Sequence, residues 1–310
     1  MRIAISTNKL ITTMLLTYLI PSSIILLANC TAAPVGTGST PMPESFSGAR
    51  AMQHVIDQVN FGPRIPETEA HARVVEWIAS QLQESGWEVS TQKSAMLGHP
   101  VNNIIAKQSD EATTKPIIIL GAHYDTRIVA DEDPDPNNRN LPVPGANDGA
   151  SGVAVLLELA RILPDNTQKS IWLVFFDAED NGNIPGWDWI MGSEAYVAGL
   201  KEQPEAAIII DMIGDSDLNI YKEKNSDPEL TDEIWNVAAS LGYSKQFIES
   251  AEHSILDDHI PFAEAGIPAV DIIDFDYPYW HTLEDTPDKV SAESLQAVGE
   301  TLYAWLLAGQ

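Results

Sequence analysis

Apolar runs in this chain repeatedly end in a residue that can bind a metal or move a proton. Pro116 to Ala122 runs into His123-Tyr124-Asp125, Ser170 to Phe176 into Asp177-Ala178-Glu179-Asp180, and Ala206 to Ile210 into Asp211. Ala269 to Ile273 leads toward Trp280-His281-Thr282, and Asn147-Asp148 stands just before a helical stretch that begins at Gly149. A single strand-end aspartate is most simply a helix cap or turn former, because its short side chain bonds nearby backbone N–H groups. So many such ends in one chain are hard to explain as caps. Carboxylates outnumber histidines in the set and no cysteine joins them, a donor mix suited to a catalytic zinc site with an open position.

The elements that must position these groups can be read from periodicity. Ser170 to Phe176, Ala206 to Met212 and Ala269 to Ile273 are nearly continuous apolar runs, the pattern of strands buried on both faces. Shorter β-like runs cover Glu88 to Ser94, Asn102 to Lys107 and Pro116 to Ala122. Pro66 to Trp87 carries Ala70, Val74, Val75, Ile78 and Leu82 at helical spacing, and Gly149 to Leu163, Pro228 to Leu241 and Ser291 to Leu307 also read as helices. Buried strands alternating with helices predict an α/β fold: a three-layer sandwich with a mixed, mostly parallel central sheet flanked by helices. Sites in such sheets form at the carboxyl ends of the strands, where the acids and histidines stand. Asp177 is expected to be structural and His54, His71 and His99 to lie on the surface, while His253 and His259 fit no motif.

Composition narrows the partners. Across 310 residues, 17 Lys and Arg face 45 Asp and Glu, a net charge of −28. Such a surface repels phosphate backbones and argues against nucleic acid. The only cysteine, Cys30, excludes an internal disulfide framework and a cysteine-based zinc cluster. Arg2 and Lys9 precede an apolar run, Leu10 to Ala28, interrupted by Pro21: the layout of a signal peptide more than of a membrane anchor. Leu27-Ala28-Asn29-Cys30 resembles a bacterial lipobox, with Asn29 where a smaller residue is usual. The expected organisation is a lipoprotein-type signal peptide over 1–29, a flexible tether over 30–45, and one catalytic domain over 46–310. The protein is expected to be exported, to the periplasm or cell surface, with Cys30 as the residue for a lipid anchor.

His123-x-Asp125, the stretch from Pro144 through Asn147-Asp148-Gly149 to Gly152, Glu179-Asp180, Asp211 and His281-Thr282 together resemble the zinc aminopeptidases of the M28 type and their relatives, the glutaminyl-peptide cyclotransferases. The likeness covers roughly residues 47 to 308. It implies that Asp148, Asp180 and His281 bind one Zn2+, as in the cyclotransferases, and that His123 and Asp211 would complete the two-zinc set of the aminopeptidases, with Asp148 bridging. Glu179 matches the general acid/base of both branches, and Asp125 the carboxylate that orients the histidine at position 123. Asp180 departs from the pattern, since a glutamate is commoner there.

Several segments divide the branches. Ile255 to Phe262, with Asp257-Asp258-His259, is similar to the acidic segment of the cyclotransferases, in which the carboxylate at the Asp257 position serves catalysis. Tyr279-Trp280-His281-Thr282 resembles their aromatic-histidine motif, and Trp187 and Trp189 match a tryptophan-bearing loop of the same substrate pocket. Gly62-Pro63-Arg64 and Gly86-Trp87 lean the same way, whereas Asn147 to Gly152 is closer to the aminopeptidase form. The resemblance thus implies cyclisation of N-terminal glutamine in peptides or proteins to pyroglutamate, with release of ammonia. The alternative is a di-zinc aminopeptidase acting on free N-termini. A non-catalytic binding protein on the same fold is the third reading, opposed by an intact Glu179 beside intact ligand positions.

Overall fold

Consecutive Val, Ile, Leu and Phe residues build the strands of this protein, and amphipathic segments cover them. The structure, a computed structural model, describes residues 45–108 and 115–308, all within one compact unit. The expected leader, Cys30 and the tether as far as residue 44 lie outside the described residues. The strands are β1 (Glu88–Met96), β2 (His99–Lys107), β3 (Ile117–His123), β4 (Ser170–Phe176), β5 (Ala206–Asp211), β6 (Ile220–Lys222), β7 (Phe247–Ala251) and β8 (Ala269–Ile273). The helices are α1 (Gly48–Asn60), α2 (Glu69–Glu84), α3 (Ala150–Ile162), α4 (Met191–Gly199), α5 (Pro228–Leu241), α6 (Ile260–Glu264) and α7 (Ala292–Leu307).

The main sheet runs β1-β2-β4-β3-β5-β8, with β4, β3, β5 and β8 parallel and the β1–β2 and β2–β4 pairings antiparallel. Alternation along the buried strands divides the core. Ile118, Leu120, Leu173 and Phe175 join the cluster beneath α1, α2, α3, α5 and α7, while Ile119, Val174, Phe176 and Ile209 pack with Tyr196 of α4 and Phe262 of α6. This is the mixed, mostly parallel three-layer sandwich.

Element ends differ from the sequence reading for local reasons. The helix expected from Pro66 starts at Glu69, because the Thr68 side chain accepts the His71 N–H and caps it there. Helix α5 matches its expected span between an Asp227 cap and Gly242, which ends it with φ at 93°. Helices α1 and α4 and the β6–β7 pair are additions. The buried face of α1 is Gly48, Ala51, Val55 and Gln58, with Met52 and Val59 packed beside it. Gln58 is placed there by a bond: its amide donates to Ala150 O at 3.0 Å.

Parallel strands bring their carboxyl ends to a common edge. His123 closes β3, Asp177 to Asp180 follow β4, and Asp211 closes β5. Asp148 enters beside them through Gly149, whose φ is +91°; a Cβ there would come within 2.7 Å of Asp125 O and 3.1 Å of the His123 ring.

Candidate active site

The expected donors converge at this edge into two groups that share one residue: His123, Asp148 and Asp211, and Asp148, Asp180 and His281, with donor atoms in each group within 4.8 Å of one another. All are buried. Asp148 faces both groups, Oδ1 lying 3.1 Å from His123 Nε2 and Oδ2 lying 3.7 Å from His281 Nε2. His281 Nε2 is 2.8 Å from Asp180 Oδ1, so the shorter side chain at 180 does reach the group. His123 Nε2 is 3.1 Å from Asp211 Oδ1. The second oxygens of Asp148 and Asp180 are buried without a hydrogen-bond partner. Unpaired buried carboxylate oxygens are costly, and a bound cation would offset that cost. Imidazole nitrogen and carboxylate oxygen with no sulfur are donors that fit zinc.

Three carboxylates hold this set in place. Asp125 lies 3.5 Å from His123 Nδ1, and its oxygens also accept the backbone N–H of Glu179 at 3.0 Å and of Asp180 at 3.4 Å. It therefore fixes the β4–α4 turn as well as the imidazole. Asp131 sits 3.6 Å from His281 Nδ1 and receives the Arg127 guanidinium in a fork at 2.7 and 2.6 Å, while Arg127 also donates to Asp180 O at 2.8 Å. Asp285 accepts the N–H groups of Asn147 and Asp148 at 2.8 and 3.2 Å and the Tyr277 hydroxyl at 2.7 Å. Neither Asp131 nor Asp285 stood out in the sequence. Asp131 is hidden in an acidic loop run, whereas Asp285, four residues after His281, is close enough to a marked motif to have been noticed.

Above the donors opens a cleft of about 270 Å³. Asp148, Glu179, Asp180, Asp211 and Asp257 line it, with Trp189, Ile273, Phe275 and Trp280 as apolar wall. Burial pushes the Glu179 carboxyl well above the usual carboxylate range; Asp257, Asp180 and Asp258 add to the shift and His123 opposes it. Burial also raises Asp257, against the nearby His259. The indole of Trp280 stacks on the His281 ring with centroids 3.7 Å apart at 26°, and Trp189 lies nearly parallel to that ring at 6.0 Å. Arg127 stands 4.9 Å over Trp189 and carries the cation side of that contact.

Some expected residues go elsewhere. Trp187 is absent from the lining of the cleft: the turn closed by its N–H on Ile184 O directs it to His99, on which it stacks at 3.7 Å. His71 is buried, not on the surface, and binds Asp177 at 2.7 Å; Asp177 also accepts the Asn102 N–H, a structural role. His54 and His99 are half-buried, against Trp77 and Trp187. His253 lines the cleft, and His259 is fully buried behind it.

Residues 103–306 match the model of peptidase family M28. Among solved structures, glutaminyl cyclase of Porphyromonas gingivalis superposes with a TM-score of 0.80 at 36% identity, over 84% of this chain and 98% of that one. The glutaminyl cyclase of Bacteroides thetaiotaomicron bound to N-acetylhistamine gives 0.80 at 33% identity, over 87% of this chain and 100% of that one. An aminopeptidase of Bacillus subtilis is 29% identical over 281 residues, 83% of this chain and 56% of its own length, so this chain spans just over half of that relative. The chain belongs to peptidase family M28, in the branch of the glutaminyl cyclases. Members of this family are zinc-dependent, in agreement with the donors described above.

Proposed function

We propose that the protein is a glutaminyl-peptide cyclotransferase that converts N-terminal glutamine of peptides or proteins to pyroglutamate and releases ammonia, with one zinc at Asp148, Asp180 and His281. The observation that carries this reading is Asp257. It belongs to neither donor group and faces the cleft together with Glu179, as the resemblance of its segment to that of the cyclotransferases implies. The likeness to solved glutaminyl cyclases supports the same choice.

Zinc bound at these donors would act as a Lewis acid toward a substrate carbonyl. The chain's own groups supply the rest. Trp189 and Trp280 form flat walls that hold the glutamine side chain folded toward its own α-amine, so that little conformational freedom is left to lose at the reacting step. Glu179, kept basic by burial, takes a proton from the amine as its nitrogen bonds to the side-chain carbonyl carbon, Cδ. The same carboxyl passes that proton to the departing side-chain nitrogen, whose bond to Cδ breaks to give ammonia. Asp257 hydrogen-bonds the nitrogen that carries the proton. No water is consumed.

The second reading, an aminopeptidase with two zincs, is favoured by one feature: His123 and Asp211 stand 3.1 Å apart beside Asp148. Glutamine β-naphthylamide and leucine p-nitroanilide, offered to one preparation with its zinc counted, separate the readings. Cyclisation of the first with one zinc per chain is the expected result; rapid hydrolysis of the second with two zincs would overturn it. Export and a lipid on Cys30 complete the proposal and rest on the sequence of the leader.

A further inference from the structure

Asp271 is an acid in the middle of β8, between buried Ala269, Val270, Ile272 and Ile273. Neither of its oxygens has a hydrogen-bond partner, and neither has either ring nitrogen of His259; both residues are fully buried. The two face each other, His259 Nδ1 lying 3.7 Å from Asp271 Oδ2. On the other side of the ring, Nε2 is 3.3 Å from Glu223 Oε2. Glu223 accepts the Ile255 N–H at 2.9 Å through Oε1, and the N–H groups of Asn225 and Ser226 at 2.7 Å through Oε2. The flanking backbone is joined as well, by Lys224 N–H to His253 O at 3.0 Å and the Asn225 amide to Ile255 O at 3.0 Å. The segment held in this way, residues 253–257, is one wall of the cleft and ends at Asp257. Asp257 O accepts the Ile260 N–H at 2.9 Å, which closes the turn containing His259.

A buried imidazole between two carboxylates is a poor way to stabilise a core, since apolar residues of similar volume often do as well or better. Its location directly behind a carboxylate of the cleft points to a different use. We propose that His259, clamped between Glu223 and Asp271, is a positioning residue that sets the Asp257 carboxylate against the substrate. The proposal rests on the reading of Asp257 as a catalytic group. Glu223 fixes the backbone of the wall, and His259 couples that wall to β8, whose neighbour β5 ends in Asp211. A group misplaced by about 1 Å loses up to ~10²-fold in rate, so an undersized or apolar replacement at 259 acts at a distance.

The test is a double-mutant cycle between His259→Leu and Asp257→Asn in the full chain, with zinc content and thermal unfolding measured on each protein. His259→Leu is expected to lower kcat by about ten-fold or more with zinc retained. Added to Asp257→Asn it should cost little further, because the group it positions has already been removed. His259→Gln, whose amide can still meet both carboxylates, should recover part of the loss. Should His259→Leu fail to fold, Asp271→Asn takes its place in the same cycle. Full kcat in the folded single variant, full kcat in Asp257→Asn, or losses that add in the double variant would overturn the proposal. Rates are followed as ammonia release from glutamine peptides. If the protein instead hydrolyses leucine amides, the cyclase reading falls, and the cycle run on those amides still decides this one.

Discussion

Glu179 and Asp257 are both buried carboxyls on one cleft, and their neighbours give them different work. Glu179 is adjacent in sequence to a metal donor and hangs from the Asp125 carboxylate through its own N–H at 3.0 Å. Asp257 contributes to neither group of donors. Asp257→Ala should therefore lower turnover by ~10²-fold, the scale of an acid–base contribution, while elemental analysis finds zinc unchanged. His281→Ala should lose zinc and activity together, and full zinc occupancy in that variant would contradict its place among the donors. Trp280 stacks on His281 and forms apolar wall, so Trp280→Ala should act mainly on KM, raising it about ten-fold with kcat less affected. A fall in kcat alone would mean that the indole works through the imidazole and not on the substrate.

At the scale of elements, the site depends on how tightly α3 lies against the sheet. A Cβ on Gly152 would meet Ile210 O at 2.4 Å and Ala122 Cβ at 2.9 Å, contacts with backbone and strand that cannot swing aside. Gly152→Val should destabilise by roughly 1–3 kcal/mol, measured by urea unfolding, and should displace Asp148 enough to weaken zinc retention. Unchanged stability would show that the helix can rise without cost. The central strands and α5 were legible in the sequence because their burial is total or their caps are explicit: seven consecutive buried residues in β4, Asp227 and Gly242 around α5. α1 carries apolar residues at helical spacing, Ala51, Met52, Val55 and Val59, and could have been read; α4 could not, since its N-cap Ile190 is left-handed and gives no side-chain cap. The donors were legible because His123, Asp180 and Asp211 follow strands, Asp148 precedes a helix and His281 stands in the Trp280-His281-Thr282 motif. Their supports Asp131 and Arg127 were not, because a loop acid and a loop arginine carry no periodic mark, whereas Asp285 stands only four residues after His281. Trp187 shows the limit from the other direction: two residues from Trp189, it leaves the cleft because a local turn, invisible to spacing, aims it at His99.

For the whole molecule, charge and location go together. A net charge of −28 repels anionic lipid, so the membrane association proposed above would rest on a lipid anchor and not on the net charge. Cys30→Ser is expected to leave export intact and move the protein from the membrane to the soluble fraction; an unchanged distribution would exclude a lipid on that residue. No helix among the described residues is long and apolar enough to cross a membrane. Whether this M28 fold cyclises or hydrolyses is decided by mass spectrometry of a glutamine-initiated peptide after incubation with the zinc-loaded protein. The expected product is lighter by one ammonia, with every residue retained and its N-terminus blocked. Release of free glutamine and a peptide shortened by one residue would contradict it.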